Sequence, residues 1–163
     1  MKDYIKAILT IIVIFVAHTF LGRISKEIPI AINLFTIIVI YFAILKGEVF
    51  GAFTGAVCGL IQDSFSFGVF GVAGLATTLT GYLAGTISRK IYVISFFKSF
   101  LFLFILTVFQ LIVWRGMHSF VFSEPFLSGS KVILFQPFFN ALAGSVFFTV
   151  FRKIFKFRSA DSQ

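Results

Sequence analysis

Six apolar stretches fill most of this chain, each continuous rather than alternating and each ended by a short polar break. They lie at about 4–21, 30–45, 48–62, 69–88, 96–114 and 132–151. A helix needs roughly 20 such residues to cross about 30 Å of hydrocarbon. A lipid-facing barrel strand would instead alternate apolar and polar side chains. With 59% hydrophobic and 12% charged residues among 163, the chain has too few polar groups to clothe a water-facing exterior. The reading is an all-α integral membrane protein, a six-transmembrane-helix bundle forming a single domain over 1–163. The second and third stretches are short, and Lys46, Gly47 and Glu48 between them predict a tight helical hairpin.

Lys2 and Lys6 precede the run "AILTIIVIFVAHTFL", which has the shape of a signal peptide. It ends without a small-x-small cleavage site and more apolar stretches follow, so it is expected to stay as the first span. Six spans put both termini on one side. That side would carry Lys2, Lys6, Lys46, Arg89, Lys90, Lys98, Arg152, Lys153, Lys156 and Arg158. The other would carry Arg23, Lys26, Arg115 and Lys131. Ten bases against four place both termini in the cytoplasm. The net charge of +8 is then a membrane feature, because the bases flank spans and form no soluble face for nucleic acid. The tail "FRKIFKFR" reads as a juxtamembrane anchor on anionic lipid. Cys58, the single cysteine, excludes an internal disulfide and any cysteine metal site; it reads as a small packing residue.

The third span carries Gly47, Gly51, Gly55 and Gly59, each four residues from the last and so on one helix face. The fourth offers Thr77, Gly81 and Gly85, and the sixth Ala141, Ser145 and Thr149. In lipid, helix association depends on close van der Waals contact, which such faces allow. The pattern predicts a close helix contact without saying whose: another span of this chain, or the single span of a partner.

Amide, imidazole and carboxylate residues are unevenly spread. His18, Asn33, Gln62, Asp63, Gln110, Gln136 and Asn140 all fall in the outer half of the bundle on this topology. The inner half holds hydroxyls such as Thr10, Tyr41, Thr54, Tyr82 and Thr149, with Glu48 and Lys98 at its boundary. Polar groups in lipid must find partners, so the seven are expected to converge on an outward-opening polar cavity or to tie helices together. Pro137 removes one helical hydrogen bond and leaves the Ile133 carbonyl available to that cavity. Asp63 ends the third span at the outer boundary, ahead of Ser64, Ser66 and Gly68. Its carboxylate either caps the fourth helix through backbone N–H groups or contacts a ligand or partner outside. The stretch after Trp114, "RGMHSFVFSEPFLSGSK", is expected to be an external loop. Its Phe120, Val121, Phe122 and Phe126 would lie in the interface region or contact a partner, with His118 among them.

No catalytic constellation is visible. Two distant histidines and one cysteine make no metal site, there is no phosphate-binding glycine loop, and Asp63 and Glu124 face outward without a pairing group. A proton relay would need ionisable groups through the membrane, and no inverted repeat is apparent. No cofactor is expected.

The segment "GAFTGAVCGLIQDSFSFGVFGVAGLATTLTGYLAG" (51–85) resembles the central motif of the MreD family of rod-shape-determining membrane proteins. That motif is a glycine-rich span, Gly-Leu-(Leu or Ile)-x-Asp, a short glycine turn, and a span with Leu and Tyr. Asn140-Ala141-Leu142 and the basic tail also resemble the family, and the size fits over the whole chain. The second span departs, since Pro29 and Asn33 are separated where the family often has Pro beside an acid or amide. The resemblance implies a non-enzymatic scaffold of the bacterial cell-wall elongation complex in the cytoplasmic (inner) membrane. Such a scaffold would bind the single span of MreC and, through it, act with MreB and the glycosyltransferase–transpeptidase pair. It also implies a fold similar to the substrate-capture subunits of energy-coupling-factor transporters, and so an alternative reading as a vitamin-capture subunit. Those subunits dock through small residues on the first helix; here Ala7 and Ala17 stand far apart. A lipid-handling enzyme would need an active site that the chain does not show.

Overall fold

The computed structural model describes residues 2–25, 28, 31–65, 70–90, 96–123 and 132–155. Among these the chain forms six helices and no strand: α1 (Lys2–Ile24), α2 (Leu34–Lys46), α3 (Glu48–Phe65), α4 (Val72–Ser88), α5 (Phe96–Phe122) and α6 (Val132–Phe155). Lys26, Pro29, Ser66, Gly68, Glu124, Phe126, Lys131, Lys156 and Arg158, all used in the sequence reading, lie outside the described residues.

Local chemistry explains the breaks. Asn33 caps α2, its side-chain oxygen accepting the Thr36 N–H at 3.3 Å. Gly47 ends α2 with φ 91°, a conformation that costs a side-chain-bearing residue, and its N–H donates to the Ala43 carbonyl at 2.9 Å. The chain then re-enters helix at Glu48, so one residue makes the hairpin. Arg89, just past α4, pairs its Nε with the Glu48 carboxylate at 2.9 Å and lies over Gly47, closing that end. One element departs from expectation. Residues 115–122 are not a loop: α5 runs on through them and stops where Ser123 takes φ 53°. Nothing between Arg115 and Phe122 breaks a helix, and the Trp114 and His118 rings, one turn apart, stack at 5.3 Å. At 27 residues, α5 is about 40 Å long.

Helix α2 is the hub. It touches all five other helices, and every residue from Phe35 to Ile40 is 4% exposed or less. On one side Ile37, Ile40 and Ala43 pack with Ala84, Leu103, Leu106 and Ala141 from α4, α5 and α6. On the other, Phe35, Ile38 and Phe42 pack with Ile11 and Cys58. The most extensive pairings are α3 with α4 and α5 with α6, while α1 lies at the edge against α2.

The exterior differs from that of a protein in water, and the apolar core carries buried polar groups. The outside is apolar, with Ile12, Val13, Val16, Val49, Phe97, Phe135 and Val146 each half exposed or more. The inside holds Asn33, Thr36, Thr54, Asp63, Thr77, Thr80, Thr107, Asn140 and Ser145, all nearly inaccessible. Most of these hydroxyls donate to carbonyls of their own helix, as Thr80 does to Ala76 at 2.8 Å and Ser145 to Ala141 at 2.6 Å. Residues 96–121 form a helix long and apolar enough to cross a membrane, with mean hydropathy 2.2. Shorter apolar helical runs lie at Ile8–Ile24, Leu34–Lys46 and Ile133–Thr149.

Candidate functional site

The glycine face of α3 is filled by this chain's own α4. The helices run antiparallel with Gly51 against Gly81, Gly55 against Thr77, Gly59 against Ala73 and Gly74, and Gly85 against Gly47 and Glu48. A Cβ added at Gly51 would lie 2.5 Å from the Gly81 carbonyl oxygen, and one at Gly55 would lie 2.8 Å from the Thr77 carbonyl carbon. The obstacles are backbone atoms, which cannot rotate away. The Thr77 hydroxyl reaches across to the Gly55 carbonyl at 2.6 Å and also lies 2.7 Å from the Ala73 carbonyl of its own helix. In α6, Ala141 and Ser145 are fully buried, and a Cβ at Gly144 would meet Leu103 of α5 at 2.7 Å.

Asp63, 6% exposed, closes the other end of the same hairpin. Its carboxylate accepts the Gly71 N–H at 2.9 Å, the Ala73 N–H at 3.0 Å and the Gly74 N–H at 2.9 Å. These are donors at the start of α4, which lack intrahelical acceptors and carry the positive end of the helix dipole. The structure thus gives Asp63 the work of a cap supplied from a neighbouring helix. Gly71, with φ 99°, turns the chain into that position.

One residue earlier and about 100° around the helix, Gln62 faces elsewhere. It lines a cavity of about 390 Å3 together with His18, Asn33, Gln110 and Gln136. Five of the seven polar residues singled out in the sequence therefore meet around one space. Asn140 sits beyond its wall, fully buried, and its Oδ1 accepts the Asn33 N–H at 2.7 Å, joining α6 to the start of α2. Ile133, whose carbonyl Pro137 deprives of its helical donor, also lines the cavity. The remaining lining comes from Phe15, Thr19, Gly22, Phe35, Phe65, Ala73, Leu111 and Trp114. The His18 and Phe35 rings lie 5.1 Å apart. Among the described residues no lining side chain is an acid, a lysine or an arginine. Arg115, 9% exposed, is not among the lining residues but lies just behind one of them, its Cζ 6.0 Å from the Trp114 ring.

The sequence reading missed the aromatic part of this wall. With 26 phenylalanines in the chain, Phe15, Phe35 and Phe65 carry no signal of their own, and Trp114 read only as the end of a span. Among the described residues no cluster of His, Cys, Asp and Glu could hold a metal ion.

An apolar exterior around an interior that mixes apolar core with buried polar groups and an amide-lined cavity defines an all-helical protein whose surface suits lipid better than water. Residues 2–146 match a family model described as rod shape-determining protein MreD, and the chain belongs to the MreD family. Members are membrane proteins of the rod-shape system, a family of shape-determining structural proteins. No curated protein and no solved structure matches the chain.

Proposed function

We propose that the chain is a six-span, non-enzymatic scaffold of the bacterial cell-wall elongation complex, set in the cytoplasmic membrane with both termini inside. It binds the single span of MreC and thereby links MreB filaments to the glycosyltransferase–transpeptidase pair outside. The observation that carries the reading is family membership over residues 2–146. The exposed apolar faces of α1, α3, α5 and α6 favour a lipid setting. Because the glycine seam of α3 is occupied by α4, a partner's span would dock on one of the remaining outer faces. The last two turns of α5, with Phe120 86% exposed, extend past the roughly 20 residues a span requires and offer an apolar contact at the outer boundary.

Co-expression with MreC, mild detergent extraction and affinity purification test this reading. MreC is expected to co-purify with the full chain, and depletion of the chain is expected to round up rod-shaped cells. Failure of MreC to co-purify even after cross-linking in intact membranes would overturn the partner assignment.

A further inference from the structure

We propose that the cavity binds a small uncharged molecule combining a flat apolar body with an amide-like hydrogen-bonding edge. This goes beyond the scaffold role and does not rest on it. Three observations converge. The volume of about 390 Å3 lies at the low end of the roughly 300–1,000 Å3 typical of small-molecule sites, enough for a compact ring system. Among the described residues every polar side chain on the wall is neutral or an imidazole, and four of them are amides, Asn33, Gln62, Gln110 and Gln136, each able to donate and accept. The apolar wall includes the aromatic rings of Phe35 and Trp114, which suit a flat apolar partner.

Gln110 favours a site over a mere bundle of interhelical hydrogen bonds, since among the buried unpartnered atoms its Oε1 is one that lines the cavity. It is 8% exposed, lines the cavity, and its buried Oε1 has no hydrogen-bond partner among the described residues. A buried acceptor left unpaired is costly, and such a group in a native protein calls for a partner. Asn33 and Asp63 show what structural polar groups look like here, since each holds a backbone N–H. Gln110 holds none of these and faces the space instead. Charge restricts the class further. Among the described lining residues His18 is the one titratable group, there is no acid, lysine or arginine, and Asp63 is committed to α4, so an anion or cation would leave water with little counter-charge from this wall.

Trp114, the single tryptophan, lines the cavity and makes its own reporter. The full chain, purified in detergent, is titrated with benzamide, benzoate and benzamidinium, three probes of one shape and different charge, and Trp114 fluorescence is followed. Benzamide is expected to give a saturable change in the millimolar range and to raise the unfolding temperature, while the two charged probes give neither. Gln110→Leu is expected to weaken benzamide binding about tenfold, the loss of one hydrogen bond. Should Gln110→Leu fail to fold by thermal unfolding, Gln136→Leu is read by the same criterion. No saturable response to benzamide would mean the cavity holds only water and would overturn the proposal. Equal responses to all three probes, or a folded Gln110→Leu and Gln136→Leu that bind as wild type does, would overturn it as well.

Discussion

Asp63 accepts three backbone N–H groups at the start of a helix that has no side-chain cap of its own, since its N-cap residue is Gly71. Replacing it by alanine strands those donors in a buried place, at a cost of at least about 3 kcal/mol. Asp63→Asn keeps one acceptor oxygen but turns an NH2 toward a donor, and is expected to cost about 2 kcal/mol. Unfolding by SDS titration of the purified protein measures both. Wild-type stability in Asp63→Ala would remove the capping role. Asn140→Ala is expected to cost about 2 kcal/mol by the same measurement, because it leaves the buried Asn33 N–H without an acceptor. Sequence alone could not choose between cap and contact for Asp63, because the donors it meets are backbone groups of Gly71, Ala73 and Gly74, and any residue but proline carries one. It did gather His18, Asn33, Gln62, Gln110 and Gln136, because neutral hydrogen-bonding side chains are conspicuous in apolar stretches and the up–down topology assigns each a depth.

At the scale of elements, the α3–α4 pairing rests on backbone meeting backbone. Gly55→Leu is expected to abolish accumulation of folded protein in the membrane, because the Thr77 main chain cannot step aside. Gly55→Ala is expected to cost about 2 kcal/mol. Gly116 in α5 is the control: a Cβ there meets nothing within 4 Å, so Gly116→Ala is expected to gain up to about 1 kcal/mol from helix propensity. The same chemical change thus has opposite signs at two helical glycines. Equal signs in the SDS titration would contradict the packing account. The helices themselves were largely legible in the sequence, since polar breaks such as Lys46-Gly47-Glu48 mark where apolar runs stop. The far end of α5 was not. A span-length rule ends near Trp114, whereas helix continues as long as nothing competes for its hydrogen bonds, here to Ser123.

Across the described residues, large apolar side chains cover the outside while several hydrogen-bonding ones lie within the apolar core, with the amide-lined cavity and the Asp63 cap toward one end and the Glu48–Arg89 pair at the other. That polarity underlies the membrane scaffold reading and sets which end would meet extracytoplasmic partners. Ser64 and Lys90 are exposed and lie at opposite ends of the α3–α4 hairpin, and Cys58 is fully buried. Single cysteines at positions 64 and 90, in a Cys58→Ala background, can be challenged in intact cells with a membrane-impermeant maleimide. The account predicts labelling of Ser64→Cys from outside and of Lys90→Cys only after the cytoplasmic membrane is opened. Labelling of both from the same side would contradict it.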